Sequence, residues 1–200
     1  RNDADEVFIS VYDYSEASFH FHELKNIDEC LACRDNKLIS WINIDGLRKS
    51  DVDSISRQFD IHQLITEDIL SVDQRPKMDE VENIFYCLLN MLYYDEITQT
   101  VDQEQVSIVL GNGFIITFQE DPSRDVFDPI REKLKMPNSK IRQRGADYLC
   151  YAMIDLIVDN YFFVMEKLAN QIELVEEEII RNSNKRSLAR INKLRKELII

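Results

Sequence analysis

The chain has 200 residues, of which 44% are hydrophobic and 30% are charged. This composition is typical of a globular domain and excludes a disordered or fibrous chain. Acidic side chains outnumber basic ones by 37 to 24, giving a net charge of −13. Nucleic acids require a basic surface, so the composition predicts no nucleic-acid partner and makes cations the more natural ligands. Four cysteines are too few for a disulfide scaffold, so we expect a reducing compartment such as the cytosol.

The first two-thirds of the sequence predicts a mixture of strands and short helices. Alternating or continuous apolar segments predict six strands, with a tight hairpin at Asn112-Gly113 between the last two. Three segments with helical spacing predict short helices, and Pro137 marks the clearest break in the chain. The predicted strands are residues 7–12, 18–22, 38–44, 83–94 and the pair 105–110 and 114–119; the helices are 51–59, 62–70 and 125–135.

After the break, the pattern becomes helical to the end of the chain. Residues 147–181 hold no Pro or Gly, residues 182–184 predict a turn, and a second helix follows from residue 187. The fold class is therefore α/β: a mixed β-sheet between helical layers (an α/β/α sandwich), followed by a long helical hairpin. We place the mixed domain at residues 1–140 and the hairpin at 141–200. The core should include seven strand residues: Trp41, Ile84, Phe85, Leu88, Ile108, Ile115 and Phe118.

The sequence lacks the patterns of several functional classes. The longest uncharged stretch, residues 105–119, is too short and too broken by glycine to span a bilayer. There is neither a phosphate-binding loop nor a Gly-x-Ser-x-Gly motif, so we expect no catalytic residues and no enzyme. The chain begins with Arg and ends inside a helical pattern without a cap, so we expect it to be part of a longer protein.

Two histidines and two cysteines form a possible metal or redox motif. His20 and His22 precede Cys30 and Cys33, and four such ligands could hold zinc, while the two thiols alone could form a redox pair. His20 and His22 also alternate with phenylalanines, as the polar face of a strand does. We therefore favour a solvent-facing strand and turn here, in which the cysteines are structurally incidental.

Two pairs of carboxylates could hold a hard divalent cation. Glu67 and Asp68 are adjacent at the end of a predicted helix, and adjacent side chains diverge around a helix. Asp155 and Asp159 are the only charges between residues 148 and 165, and their spacing of four places them on one face. Mg²⁺ prefers carboxylate oxygens and needs only one or two. The alternative is that these side chains are solvated or paired with basic residues.

Several segments, taken together, resemble the cytoplasmic part of the CorA family of magnesium channels. Each is short, but their order and spacing are specific over residues 38–180. They are residues 41–46 (Trp-Ile-Asn-Ile-Asp-Gly), 64–70 (Leu-Ile-Thr-Glu-Asp-Ile-Leu), 74–77 (Gln-Arg-Pro-Lys), 104–107 (Glu-Gln-Val-Ser), 118–120 (Phe-Gln-Glu), 126–131 (Val-Phe-Asp-Pro-Ile-Arg) and 146–155 (Ala-Asp-Tyr-Leu to Ile-Asp).

The resemblance implies a mixed sheet between helical layers and a regulatory function. It implies a homopentameric channel in the inner membrane, whose soluble cytoplasmic domains sense Mg²⁺, with Co²⁺ or other divalent cations as further ligands. Divalent ions between neighbouring subunits would favour the closed state. The resemblance assigns Asp68 to a metal site between subunits, and Glu67 and Asp155 to a second site. Asp159 is added only for its spacing from Asp155.

The resemblance also implies segments that these 200 residues lack. A stalk, two membrane helices, a Gly-Met-Asn pore motif and the stalk carboxylate that faces Asp68 would all follow residue 200. Contact with the membrane would then be made only through those helices. Two other functions stay open: the cytoplasmic domain of a related zinc transporter, and a soluble zinc-binding or redox module that uses Cys30 and Cys33.

Overall fold

The computed structural model describes residues 3–34, 37–72, 74–181 and 185–198. The chain packs as two compact units, one of Arg1–Asn90 and Gln105–Asp155, the other of Met91–Glu104 and Leu156–Ile200. Two strands and the longest helix continue from one unit into the other. The predicted boundary between a mixed domain at residues 1–140 and a helical hairpin at 141–200 stays a prediction.

A seven-stranded mixed sheet forms the centre of the fold. Its spatial order is β2-β1-β3-β7-β6-β5-β4. The pair β3–β7 is parallel, whereas β1–β2, β1–β3, β4–β5 and β6–β7 are antiparallel. The strands are β1 (Phe8–Tyr14), β2 (Phe19–Leu24), β3 (Ile39–Asp45), β4 (Lys77–Val81), β5 (Ile84–Asp95), β6 (Thr100–Gly111) and β7 (Phe114–Gln119).

The described residues form six α-helices around the sheet, and the long helix predicted after Pro137 is confirmed. It runs from Ala146 to Arg181 without a break. In the second unit, Leu194 of the last helix packs against a buried cluster that contains Val164 and Leu168 of the long one, as in a helical hairpin. The predicted turn at 182–184 lies outside the described residues. The helices are α1 (Leu31–Arg34), α2 (Lys49–Gln58), α3 (Gln63–Leu70), α4 (Asp128–Lys135), α5 (Ala146–Arg181) and α6 (Lys185–Glu197).

The sheet is covered by helices on both faces, because successive residues of a strand point to opposite sides. Ile42 and Ile44 of β3 point to the layer of α2 and α3, where they join Ile55 and Ile65 in one buried cluster. Trp41, the residue before Ile42, points the other way, and its ring meets Phe127 edge-on beside α4 with centroids 5.8 Å apart. The predicted α/β/α arrangement is therefore confirmed.

The predicted core is buried with one exception. Trp41, Leu88, Ile108, Ile115 and Phe118 have no exposed surface, and Ile84 is 8% exposed. Phe85 is only half-buried.

The sequence analysis missed strand β4, helix α1 and two 3-10 helices, Ile27–Cys30 and Pro122–Arg124. Edge strand β4 carries Lys77, Asp79 and Glu80, and such charges are typical of an edge that resists pairing with other chains. Cys30 ends the first of these 3-10 helices, which leads directly into α1, and Cys33 lies in α1.

Helix α5 is long and apolar enough to cross a membrane by length and composition alone, and no other helix among the described residues is. The search for uncharged stretches missed it because Asp155 and Asp159 interrupt the apolar pattern. A core helix of a soluble domain meets the same criterion, so this observation is weak evidence for a membrane span. One side of α5 is buried in protein, through residues that include Leu149, Met153, Val164 and Leu168.

A buried polar ladder connects the two parallel strands. The indole Nε1 of Trp41 donates to Thr117 Oγ1 at 2.9 Å, and that hydroxyl donates to Asn43 Oδ1 at 2.7 Å. The Asn43 amide then donates to Asp45 Oδ2 at 2.7 Å. All four side chains are buried, so each hydrogen bond replaces one that water would otherwise supply.

We expect Thr117→Val to lower the free energy of unfolding by roughly 2–4 kcal/mol, because it leaves the Trp41 donor and the Asn43 acceptor unpaired in the core. The substitution keeps the side-chain shape, so packing changes little. Urea unfolding monitored by circular dichroism measures the loss.

Thr66→Val is the matched control for this substitution. Thr66 is also buried, but its hydroxyl donates at 3.4 Å to the His62 carbonyl, which already accepts backbone bonds. We expect this variant to lose less than about 1 kcal/mol. Equal losses at the two positions would contradict the importance of the ladder.

Candidate functional site

Helix α3 presents the first pair of predicted metal ligands. The ring nitrogen Nδ1 of His62 accepts a hydrogen bond from the Leu64 N–H at 3.2 Å and so caps the start of the helix. Ile65 and Ile69 are buried against the sheet. With 3.6 residues per turn, Glu67 then points outward and is exposed, whereas Asp68 is half-buried at the side.

Asp68 already has a cationic partner. The Nζ atom of Lys77 lies 2.5 Å from Asp68 Oδ2, and the Gln74 amide donates to Oδ1 at 3.2 Å. Lys77 is the first residue of β4. A divalent cation at Asp68 would therefore compete with an ammonium group of the same chain. Glu67 has only an uncharged partner among its described hydrogen bonds, the Gln63 amide at 2.9 Å.

The second predicted pair lies on α5. Asp155 is exposed, and the Tyr151 hydroxyl donates to its Oδ1 at 3.4 Å. Asp159 is exposed as well. Asp155 belongs to the first compact unit and Asp159 to the second, one helical turn further along. Exposure agrees with the alternative that the sequence left open, a solvated helix face.

The four predicted ligands do not converge in one chain. α3 packs on the face of the sheet that holds Tyr86 and Leu88. Cys150 of α5 is close enough to interact electrostatically with Cys87, whose side chain points to the opposite face. Glu67 and Asp68 therefore lie in one layer of the first unit and Asp155 in the other. Within the described ranges, no three His, Cys, Asp or Glu side chains are grouped closely enough to hold a metal ion.

The histidine and cysteine motif is also separated. His20 and His22 are exposed on edge strand β2, whereas Cys30 and Cys33 are buried in the hydrophobic core. The prediction that the cysteines are incidental to a solvent-facing turn is therefore wrong. Ile27, Cys30 and Cys33 recur every three residues, and this helical spacing was the signal that the alternation around His20 obscured.

The buried thiols are chemically inert. Burial is the main cause that raises the pKa of Cys30, Cys33 and Cys150 to about 12, and that of Cys87 to about 11. At neutral pH these side chains are protonated, while the nucleophile and the metal ligand are both the thiolate. The geometry therefore gives no support to a zinc or redox function for Cys30 and Cys33.

Lys77 and Gln74 are the residues near the site that sequence reasoning missed. Both lie in the Gln-Arg-Pro-Lys segment that carried part of the family resemblance. Their link to Asp68 depends on the turn between α3 and β4, and β4 itself was not predicted.

Comparison with known proteins identifies the family. Residues 36–200 match the family described as "CorA-like Mg2+ transporter protein". The chain belongs to this family. It is 38% identical over 192 residues to the "Cobalt/magnesium transport protein CorA" of Thermotoga maritima, covering 96% of this chain and 54% of that protein. It is 26% identical over 137 residues to the "Putative metal ion transporter YfjQ" of Bacillus subtilis, covering 68% and 41%. The chain thus spans about half the length of these curated relatives.

Solved structures of low identity share the fold. The soluble domain of CorA from Methanocaldococcus jannaschii matches all of this chain and 74% of its own, with a TM-score of 0.72 at 17% identity. The ZntB cytoplasmic domain from Vibrio parahaemolyticus matches 96% of this chain and 72% of its own, with a TM-score of 0.57 at 13% identity. At these identities the likeness concerns the fold, and it does not choose between ions.

The burial of all four cysteines leads to a testable prediction. We expect the folded protein to resist iodoacetamide at pH 8, because all four thiols are buried and protonated, and to be alkylated once unfolded in urea. Mass spectrometry counts the modified thiols. Since folding raises these pKa values, the stability they contribute is present below pH 9 and is lost as the pH rises towards 12. Rapid alkylation of Cys30 or Cys33 in the folded state would contradict this description.

Proposed function

We propose that the chain is the cytoplasmic, Mg²⁺-sensing part of a magnesium or cobalt channel, and that divalent ions between subunits favour the closed state. The observation that carries this proposal is the 38% identity to a cobalt/magnesium transport protein over 96% of the chain. The proposal places the domain on the cytoplasmic side of the inner membrane, in a homopentamer. Mg²⁺ is the proposed regulatory ligand, with Co²⁺ as a second.

The chemistry of the proposed ligands fits Mg²⁺. Glu67, Asp68, Asp155 and Asp159 supply hard carboxylate oxygens, and each is at least partly accessible to solvent. Mg²⁺ gives up its water reluctantly and is commonly held by one or two carboxylates with several waters retained. Separated carboxylates at the surface therefore suit this ion better than they suit zinc, which prefers histidine and cysteine in a closed tetrahedron.

The separation of the carboxylates favours sites between copies of the chain. Asp68 and Asp155 lie in opposite helical layers of the first unit, so one chain alone does not bring them together. In a ring of identical subunits, opposite sides of neighbouring copies can face each other. Asp68 of one copy could then meet a carboxylate of the next.

Electrostatic repulsion gives these residues a way to regulate assembly. Bound Mg²⁺ would supply two positive charges that offset the repulsion between carboxylates of neighbouring copies. Without that charge, Asp68 and the facing carboxylate repel each other, and the close arrangement of subunits loses stability. The ion can shift this equilibrium only by its difference in affinity for the two arrangements. Lys77, whose Nζ atom lies 2.5 Å from Asp68 Oδ2, would reduce this repulsion without abolishing it when the metal is absent.

A thermal-shift titration tests the metal sites. With ~20 mM Mg²⁺ and a dissociation constant of about 1 mM, linkage stabilises the folded state by about 1.8 kcal/mol. For a domain of this size, the melting temperature should rise by roughly 4–7 °C. Asp68→Ala and Asp155→Ala should each reduce the rise, since each removes a ligand. Repeating the titration with Co²⁺ and Zn²⁺ ranks the ions.

Two controls separate binding from general screening. NaCl of equal ionic strength screens repulsion among the 37 acidic groups without a specific site. Glu132→Ala removes an exposed, ion-paired carboxylate on α4 that is not one of the proposed ligands. If NaCl gives the same shift as Mg²⁺, or Glu132→Ala reduces it as much as Asp68→Ala, this chain has no specific site. The same null result with the full-length protein would refute the sensing function.

Removing the Lys77 ammonium group, which competes with Mg²⁺ for Asp68, should strengthen Mg²⁺ binding. We expect Lys77→Met to tighten Mg²⁺ binding by up to about fivefold, because Mg²⁺ no longer displaces an ammonium group from Asp68. Isothermal titration calorimetry compares the dissociation constants. Lys135→Met, which breaks the surface pair with Glu132 instead, should leave Mg²⁺ affinity unchanged. Weaker Mg²⁺ binding by Lys77→Met would show that Asp68 is not a ligand.

A further inference from the structure

The last turn of α3 carries two carboxylates at an electrostatically unfavourable position. α3 ends at Leu70, and Glu67 and Asp68 lie in its final turn, which holds no basic residue. The C-terminal end of a helix has a partial negative charge, because its last carbonyl groups lack partners within the helix. The two carboxylates therefore weaken this end of α3, and contacts from outside the helix become important for its geometry.

Ser71 closes this turn of α3. Its N–H donates to the Glu67 carbonyl at 3.0 Å and to the Asp68 carbonyl at 3.3 Å, and its hydroxyl donates to the Glu67 carbonyl at 2.8 Å. Ser71 itself is only half-buried, and the next residue, Val72, is 47% exposed. The backbone of both carboxylate residues thus depends on the position of Ser71, which packing alone holds weakly.

The sheet supplies a hydrogen bond that holds Ser71. The Nε2 atom of Gln105, on β6, donates to the Ser71 carbonyl at 3.1 Å. Gln105 and Ser107 are two residues apart on the strand, so their side chains lie on the same face of the sheet. The Ser107 hydroxyl contacts the Tyr86 hydroxyl at 3.1 Å, and Tyr86 belongs to the buried cluster that contains Ile65 of α3. Gln105 therefore connects the C-terminal end of α3 to the face of the sheet on which α3 packs.

We propose that Gln105 is a positioning residue of the metal site, because its hydrogen bond to Ser71 fixes the last turn of α3 and with it the direction of Glu67 and Asp68. The inference rests on the proposed function, in which these carboxylates bind Mg²⁺. It also gives a role to the Glu-Gln-Val-Ser segment at residues 104–107, which carried part of the family resemblance. Gln105 acts through the end of the helix and does not need to contact the ion.

The effect on Mg²⁺ affinity follows from the population of the ordered turn. If the turn is formed for only a fraction of the time, the apparent dissociation constant rises by the inverse of that fraction. One neutral hydrogen bond changes such an equilibrium by a factor of roughly three to ten. Ile65 and Ile69 remain buried against the sheet, so loss of this bond should loosen the last turn without unfolding the domain.

Calorimetric titration of the full-length protein with Mg²⁺ tests the proposal. Gln105→Met keeps the length of the side chain but removes the donor, and should raise the Mg²⁺ dissociation constant by roughly three- to tenfold. Gln105→His at pH 8 carries a neutral N–H at a similar distance from the backbone, and should restore most of the affinity. Gln143→Met makes the matched change at an exposed glutamine and should leave the dissociation constant unchanged.

A second background separates positioning from a general loss of stability. With Glu67→Ala and Asp68→Ala present, Gln105→Met should not change Mg²⁺ binding further, because the groups that it positions are gone. A further loss in that background, or an unchanged dissociation constant for Gln105→Met alone, would overturn the positioning role. If Glu67→Ala with Asp68→Ala leaves Mg²⁺ binding intact, the proposed ligands are wrong and the inference fails with them.

Amide hydrogen exchange in EDTA gives a readout that needs no metal. The Ser71 N–H should exchange faster in Gln105→Met than in the unmodified protein, because the turn opens more often, whereas amides of the β6–β7 pair should exchange as before. Equal protection of Ser71 in the two proteins would refute the role of Gln105 even if Mg²⁺ binding were weaker. Faster exchange across the whole domain would show a general loss of stability instead and would also refute it.

Discussion

The parallel pairing of β3 and β7 determines how the rest of the first unit is arranged. The two strands are adjacent in the sheet but distant in sequence, and their register is fixed by the ladder from Trp41 through Thr117 to Asn43. A parallel pair cannot be joined by a tight turn, so the chain must cross over between the strands. Helices α2 and α3 begin that crossover and cover one face, while α4 follows β7 and covers the other.

The separation of the acidic residues follows from this arrangement. Glu67 and Asp68 are fixed to the layer that follows β3, and Asp155 to a helix in the layer that follows β7. The sheet and its side chains lie between them, so the two helical layers are further apart than the spacing of about 10 Å between neighbouring layers. Carboxylates at that distance cannot share one ion. The arrangement that gives the domain its core therefore keeps the two groups of carboxylates apart within one chain.

Local patterns predicted the elements whose structure is decided locally. Asn112-Gly113 predicted the β6–β7 hairpin because Gly113 adopts a positive φ of 81°, which few residues tolerate. The absence of Pro and Gly predicted α5 over its whole length. Strand β4 was missed because it is held by pairing with β5, not by its own apolar pattern. The same holds for the partner of Asp68: a contact between Lys77 and Asp68 depends on where the sheet edge lies, and no spacing in the sequence encodes that.

The internal pair of Asp68 with Lys77 limits what a divalent ion could gain at this position. The Nζ atom of Lys77 lies 2.5 Å from Asp68 Oδ2, so the carboxylate is already partly neutralised within one chain. Under the proposed function, an ion between copies would have to displace this ammonium group before it could offset the repulsion between Asp68 and a facing carboxylate. Because a ligand shifts an equilibrium only by its difference in affinity for the two states, this competition would set how far the ion can change the arrangement of the subunits.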